Sequence, residues 1–456
     1  MSSIPIDINR IESRMTWLVE ELGPRTHMSK SGQFAALGVK DYLEESGWDV
    51  QTIQLPGNIV TCRGTGSKVF LAHTDTVQQS SGAVDNASGV VALLELANVS
   101  TAQDICLAFP VAEELGLLGS KQMASLIGKW HPNPKDIDLV VSLDLVGHGS
   151  LWVTGLSTKW NEDQLHWLFG NAEIQSEYGY QVVSRVLPSR ERSDHAPFAN
   201  EGYLSLQLLG RDENGIFPHY HQPEDKDIQV QKIVDVVEVL ESLAIADSPP
   251  KESSLPALTF HQVVLPPFVL YGVALFAVAL SFREIKYWKE TVISLWKGIV
   301  IWIVAWFSMI PFVQLGLFSS SIPEQTAASI YPIDPTGWWN GAFFAGYLPM
   351  IVGIILREKL KPTGSGTLLA TIIGLCFAYI DIVFAFPFFV AAILGTFESF
   401  LLLVASLYWL QGSILRELSF HAILPPWLWG ILVFTLLPLF VDRLDRERLS
   451  LFTEKD

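Results

Sequence analysis

The sequence predicts an α/β fold, a mixed and mainly parallel sheet flanked by helices, followed by an all-α membrane domain of about six helices. Three observations predict it. The chain has 456 residues, 49% of them hydrophobic and only 17% charged, which is too long and too apolar for one ordinary soluble domain. The charge is uneven: residues 1–262 hold 18 basic and 34 acidic side chains, a net of −16, while the rest holds 12 and 13. Short apolar strand-like runs alternate with helical periodicity in the acidic part, whereas the remainder is built from long uncharged stretches. The expected organisation is an acidic α/β domain over 1–250, a linker over 251–263, a membrane domain over 264–442 and a polar tail over 443–456. A net charge of −17 argues against a nucleic-acid partner. Three cysteines make no disulfide framework and show no metal-binding spacing.

Taken in order, Ile8, Ile11, Met15, Leu18 and Leu22 recur at helical spacing until Gly23-Pro24 stops the run. A second helix is expected over 33–45, then short strands over 50–55 and 58–62. Strands at 69–72, 105–111 and 139–143 then alternate with helices at 87–97 and 117–127. That alternation implies parallel pairing with helices on both faces, and in such sheets ligands bind beyond the C-terminal strand ends.

The apolar part reads as membrane spans at 265–282, 295–318, 341–356, 367–386, 388–410 and 427–441. Trp288, Trp296, Trp338, Trp339, Trp409, Trp427 and Trp429 stand near their ends, as an interfacial aromatic belt requires. The lipid bilayer is thus an expected partner, with a homo-oligomer formed through the membrane domain as a further one. Asp381 and Glu398 lie inside apolar stretches, where an acid is costly and often functional. Sidedness is open. The basic groups Arg283, Lys286, Lys289, Lys297, Arg357, Lys359 and Lys361 favour an extracytoplasmic acidic domain, whereas the opening MSSIPIDINR lacks an apolar export segment and favours a cytoplasmic one.

Polar residues collect at the predicted strand ends. His73-Thr74-Asp75 and then Gly82–Gly89 follow the first, Glu113-Glu114 the next, and Asp144 the third; a later loop carries His219, His221, Glu224 and Asp225. A lone acidic pair at a helix start would be a solvated terminus. Carboxylates and imidazoles converging from three strand ends would repel one another in one cleft, so bound cations are the natural compensation. Mixed His and carboxylate donors without a thiolate suit zinc, with manganese or cobalt as alternatives.

The segments HTD, GAVDNASGVVALLELA, VAEELGLLGS, SLDLVG, RSDHAPF and YHQPEDK together resemble the bimetallic zinc aminopeptidases of metallopeptidase family 28, over about residues 10–245. Relatives of that family include glutamate carboxypeptidases, glutaminyl cyclases and the transferrin receptor ectodomain. The resemblance implies a zinc exopeptidase fold, a peptide substrate and two zinc ions. It implies His73 and Asp144 on one zinc, Glu114 and His221 on the other, and Asp85 bridging both. Glu113 would be the general base, taking a proton from water and delivering it to the leaving amine. Asp75 would accept from His73 and fix its tautomer; Asp194 and His195 would line the pocket or support it. Lys226 departs from the threonine usual in the family. Arg190, Arg192 and Arg211 keep carboxypeptidase specificity open, and a transporter or receptor that binds peptides or amino acids is the alternative from another class.

Overall fold

The computed structural model describes residues 5–53, 57–156, 160–176, 193–212, 215–217, 219–226, 229–251, 257–260 and 262–289, with position 292 and scattered positions from 368 to 393. The chain divides into two units, the first running to Val264 and the second beginning at Leu265.

In the first unit, α1 (Ile8–Thr16) starts at Asp7, whose carboxylate accepts from the backbone of Asn9 and Arg10, and a short π-turn (Trp17–Leu22) carries it to Gly23. Helix α2 (Lys30–Glu45) is capped by Ser29, which accepts from Gly32 N. It begins three residues before the helix expected at 33–45, because a serine cap outweighs the weak helical preference of Ser31 and Gly32. Strands β1 (Val50–Thr52), β2 (Ile59–Cys62), β3 (Lys68–Leu71), β4 (Ile105–Phe109) and β5 (Leu139–Asp144) follow, with α3 (Ser88–Val99) between β3 and β4 and α4 (Leu118–Ser125) and α5 (Ile127–Trp130) before β5. Then come β6 (Ser150–Leu156), α6 (Glu162–Asn171), β7 (Gln175–Ser176), α7 (His195–Asn200), β8 (Ser205–Asp212), β9 (Gly215–Ile216) and α8 (Val230–Ile245).

Among the described residues these strands form one nine-stranded sheet in the order β1-β2-β4-β3-β5-β8-β6-β7, with β9 on β8. The sheet is mixed and flanked by helices, as expected, but parallel pairs, β6–β7 among them, are no more numerous than antiparallel ones among the described residues. The central β4-β3-β5-β8 block is parallel, but β1-β2, β2-β4, β6-β8 and β8-β9 are antiparallel. The short links β1–β2 and β8–β9 leave no room for a crossover helix, which parallel pairing needs.

Alternation along the strands divides the core. Phe70, Leu107, Phe109, Leu139, Val141 and Leu143 face α1, α2, α3, α6 and α8, while Val69, Leu71, Cys106, Ala108 and Val140 face α4, α5 and α7. Helix α3 is almost wholly buried, and its Glu95 is an ion-pair anchor: Arg10 Nε and Nη2 donate to it at 2.7 and 2.5 Å, Arg14 Nη1 at 3.2 Å, and Asp7 N at 2.9 Å. A buried carboxylate with that many donors is satisfied, and removing any cation would leave it costly.

Two of the three cysteines form a disulfide, Cys62–Cys106, linking residues that face each other across β2 and β4. No framework of bridges was expected, and this is a single cross-strand bond; the residues lie 44 apart in sequence, so only the register brings them together.

After β10 (Leu258–Phe260) and β11 (Val263–Leu265), the second unit opens with α9 (Pro267–Phe282), coincident with most of the first expected span. Its 16 residues give about 24 Å of helix at ~1.5 Å per residue. Among the described residues no helix is long and apolar enough to cross a membrane. The spans expected at 295–318, 341–356 and 427–441 lie outside the described residues, as do most of those at 367–386 and 388–410 and the acids Asp381 and Glu398.

Candidate metal centre

The site is built at the C-terminal ends of the parallel block. The β3–β5 register pairs Leu71 with Ser142, so the residues two further on, His73 and Asp144, come level and point the same way. His73 Nε2 lies 4.0 Å from Asp144 Oδ1 and 3.4 Å from Asp85 Oδ1. On the other side His221 Nε2 lies 3.0 Å from Asp85 Oδ2 and 3.0 Å from Glu114 Oε2. Asp85 therefore stands between two donor groups, His73–Asp85–Asp144 and Asp85–Glu114–His221, in each of which the ligand-type atoms lie within 4.8 Å of one another. These five residues are the ones the resemblance points to, and the fold brings all five together.

Backbone geometry aims them. Ala112, Leu145 and His221 have φ of +56°, +54° and +58°, so left-handed turns redirect the chain beside Glu113, beside Asp144 and at His221 itself. Such conformations cost of order 1–3 kcal/mol each and persist where surrounding structure enforces them. Gly82 (φ +59°) begins the turn into Asp85, and a Cβ there would run into Asp85 O. Arg25 is buried and donates to the carbonyls of Leu18, Gly23, Thr74, Ser81 and Gly82, which ties the opening of the chain to that turn. Asp225 holds the other side: its carboxylate accepts from Val84 N at 2.8 Å and Asp85 N at 3.1 Å.

Asp75 lies beside His73, as the resemblance implies, and also reaches the two glutamates. Its carboxylate accepts from Glu113 N at 3.1 Å and Glu114 N at 3.2 Å, and its Oδ1 lies 3.7 Å from His73 Nδ1. His73 Nδ1 also contacts the Asp75 backbone carbonyl at 3.1 Å, which leaves Nε2 facing Asp85 and Asp144. Asp75 thus orients the two glutamates through their amides. Asp194 and His195 are buried at the start of α7, with Asp194 bonded to Ser120 and near His73. Arg211 lies over the ring of Trp152, 4.6 Å from its centroid, and Arg190 and Arg192 fall outside the described residues. His148 and His219 pack on Phe217, and His166 is exposed.

Electrostatics mark the site as one that wants cations. Burial pushes Asp144 up to about 8, and Asp85, Glu114 and Asp194 add repulsion that His73 only partly offsets. Glu113 is raised well above the carboxylate range by burial and by Glu114, Asp194 and Asp144, and Glu114 is raised by burial and Asp85. Asp85 goes the other way: burial disfavours its charge, but His221 and His73 outweigh that and lower it. Burial opposes charge on His221, yet Asp85 and Glu114 carry it up to about 11, and His73 is likewise raised well above its ordinary value by Glu113, Asp75 and Asp85. Protons on the imidazoles here balance the carboxylates, the service a divalent cation performs when it displaces them. Glu114 Oε1 and Asp144 Oδ1 are buried and accept no hydrogen bond among the described residues, so the donor set fits a pair of cations.

Three supporting residues carried no assigned role in the sequence. Tyr220 stacks on His221, ring centroids 3.7 Å apart, and burial together with Asp85 and Glu114 keeps its phenol protonated. Asp225 sits in the same YHQPED run as His221, a nearness that could have flagged it. Gln207 donates from Nε2 to Asp144 Oδ2 at 3.1 Å; its only sequence signal is a polar residue inside the apolar run of β8.

Residues 58–237 match the model of Peptidase family M28. Over those residues the chain is similar to the domain of that family. The chain is 29% identical over 205 residues to the aminopeptidase YwaD of Bacillus subtilis (strain 168), covering 43% of this chain and 44% of that relative, so it spans less than half of that relative's length. Among solved structures it is similar to the LapA aminopeptidase of Legionella pneumophila (TM-score 0.44, 19% identity, 54% of this chain and 73% of that one). It is also similar to BSAP, a zinc aminopeptidase from Bacillus subtilis (TM-score 0.42, 16% identity, 55% and 97%).

Proposed function

We propose that the chain is a dizinc metallopeptidase, an exopeptidase that removes N-terminal residues from peptides. The observation that carries this reading is Asp85, which presents one oxygen to each of two His–carboxylate groups at the mouth of a parallel sheet. His73, Asp144 and Asp85 would hold one ion, and Glu114, His221 and Asp85 the other. Two ions there supply Lewis acidity toward a water molecule and the scissile carbonyl. Glu113, adjacent to a ligand but outside both donor groups, takes the proton of the attacking water and returns it to the leaving amine. Asp75 keeps the two glutamates in register through their amides, and Tyr220 retains a donor hydroxyl beside the carboxylates. The test is hydrolysis of aminoacyl chromogenic substrates and of N-blocked and C-blocked peptides, before and after chelation. Activity that survives complete removal of zinc would sink the reading. Cleavage of N-blocked peptides from the C-terminus would turn it to carboxypeptidase.

We infer further that residues 264–442 are membrane-integral and that the peptidase domain faces an oxidising compartment. Support comes from α9, which exposes Phe268, Leu275 and Phe282, and from the low charge of the chain beyond residue 262. The Cys62–Cys106 bond supports the side, since such bonds persist in oxidising compartments, and Arg283, Lys286 and Lys289 just after α9 agree. Thiol alkylation with and without reduction, together with protease access in sealed vesicles, tests both. Free thiols at both positions, or a protected domain on the outside of intact cells, would reverse the sidedness.

A further inference from the structure

β8 lies between β5 and β6, and Gln207 is the one polar side chain in its run Leu206–Leu209. Both neighbours use it. From the β5 side, Asp144 Oδ2 accepts from Gln207 Nε2 at 3.1 Å; from the β6 side, Thr154 Oγ1 donates to Gln207 Oε1 at 2.9 Å.

Thr154 reaches Gln207 because β6 is irregular there. The β6–β8 register pairs Val153 with Leu208 and then Gly155 with Gln207, so Thr154 is an extra residue in a β-bulge. Bulges re-aim a side chain that regular pleating would point elsewhere. Thr154 is buried, and its hydroxyl has one proton to give. Donated to Oε1, that proton settles which end of the Gln207 amide is oxygen and turns the NH₂ end toward Asp144. The opposite orientation would set an amide oxygen against a carboxylate.

The consequence falls on Asp144. With Oδ2 occupied by Gln207, the oxygen left facing His73 Nε2 is Oδ1, which is buried and accepts no hydrogen bond among the described residues. We propose that Gln207 is a positioning residue, held by Thr154 of the β6 bulge, that reserves a single oxygen of Asp144 for the ion shared with His73. Among the described residues Glu114 and His221 make no hydrogen bond to Gln207 or Thr154, so the effect is confined to one of two ions. The inference rests on the dizinc reading above.

The test measures zinc stoichiometry and the two zinc dissociation constants of the full chain by chelator competition. Wild type binds two ions. Gln207→Leu weakens one ion by about 10–100-fold and leaves the other unchanged, the scale on which outer hydrogen-bond partners act on metal affinity. Thr154→Val weakens the same ion by less, and Thr154→Ser, which keeps the hydroxyl, restores the wild-type value. Unchanged constants in Gln207→Leu, equal weakening of both ions, or a Thr154→Ser variant indistinguishable from Thr154→Val would each overturn the proposal. Equal weakening with a fall in melting temperature would show that Gln207 only packs. Should Gln207→Leu fail to fold, the Thr154 pair decides alone. A wild-type chain that binds no pair of zinc ions overturns the dizinc reading itself, and is separated from failure of the relay by that control.

Discussion

The two donor groups that share Asp85 are made differently. His73 and Asp144 project from neighbouring parallel strands whose hydrogen-bonded register sets their separation, and Gln207 on a third strand steadies Asp144. Glu114 and His221 come from turns: Glu114 follows Ala112 at φ +56°, and His221 itself sits at φ +58° in the segment before α8. One group is aimed mainly by sheet register, the other by turns, of which Asp75 fastens the one at Glu114; Arg25 and Asp225 fasten the turn of the shared Asp85. Sheet register is cooperative and hard to shift, whereas a turn is only as rigid as the side chains that pin it. The turn-built group should therefore be the more sensitive to changes outside its own ligands.

The largest effect expected belongs to neither group. Glu113→Gln should lower kcat by about 10²–10⁴-fold, the range of general acid–base assistance, with zinc content unchanged, read by steady-state kinetics beside elemental analysis. Asp85→Ala should then erase the comparison altogether, removing both ions, while His73→Ala and His221→Ala should each weaken a different ion. A single ion lost in Asp85→Ala would break the shared-ligand arrangement.

Next, Asp75→Asn should weaken the ion held by Glu114 and His221 by roughly tenfold, at the low end of what outer partners contribute, and spare the ion held by His73. Equal loss at both would show that Asp75 acts through His73 after all. Replacing Cys62 and Cys106 by serine should lower stability by about 2–4 kcal/mol in denaturant unfolding, with both ions still bound. The bond ties β2 to β4 and touches neither donor group.

The smallest and broadest effect is on pH. Asp144 (about 8) and Asp225 (about 7) have folded values above the ordinary 3.8, and His221 (about 11) is above 6.5. In each case the folded state binds more protons than the unfolded one between those limits, so stability falls as pH rises through the window. For the acids this runs from about pH 4 to 8; for His221 the contribution is full below 6.5 and lost toward 11. Metal-free protein should therefore lose melting temperature steadily from pH 5 to 9, and saturating zinc should flatten the slope. A metal-free slope of the opposite sign would contradict the cluster as described.

How much of this could be read without coordinates depends on the residue. Val69–Leu71, Ile105–Phe109 and Leu139–Leu143 are apolar on every residue but Ser142, as strands covered on both faces must be, and the structure has them as β3, β4 and β5. At the edges, β1 and β2 are expected as short strands, whereas β7 and β9 give no signal because two residues are too short for any period to show. In the site, His73, Asp85, Glu113, Glu114, Asp144 and His221 stand out as charged or titratable residues at the ends of apolar runs. Gln207 and Thr154 do not, since a neutral polar residue in a strand has no local signature of what lies across the sheet.

The sequence by itself determined which segments become the central strands, that acids and imidazoles gather at their ends, and that the negative charge is confined to one domain. Those properties are local, written in periodicity and in the sum of side-chain charges. Only the tertiary structure decided that Asp85 faces both histidines, that Asp75 serves two backbone amides as well as lying beside an imidazole, that Cys62 meets Cys106 and that a bulge at Thr154 reaches Asp144 through Gln207. Each of these depends on strand register and on turns of specific handedness. A shift of one residue would turn those side chains to the other face of the sheet.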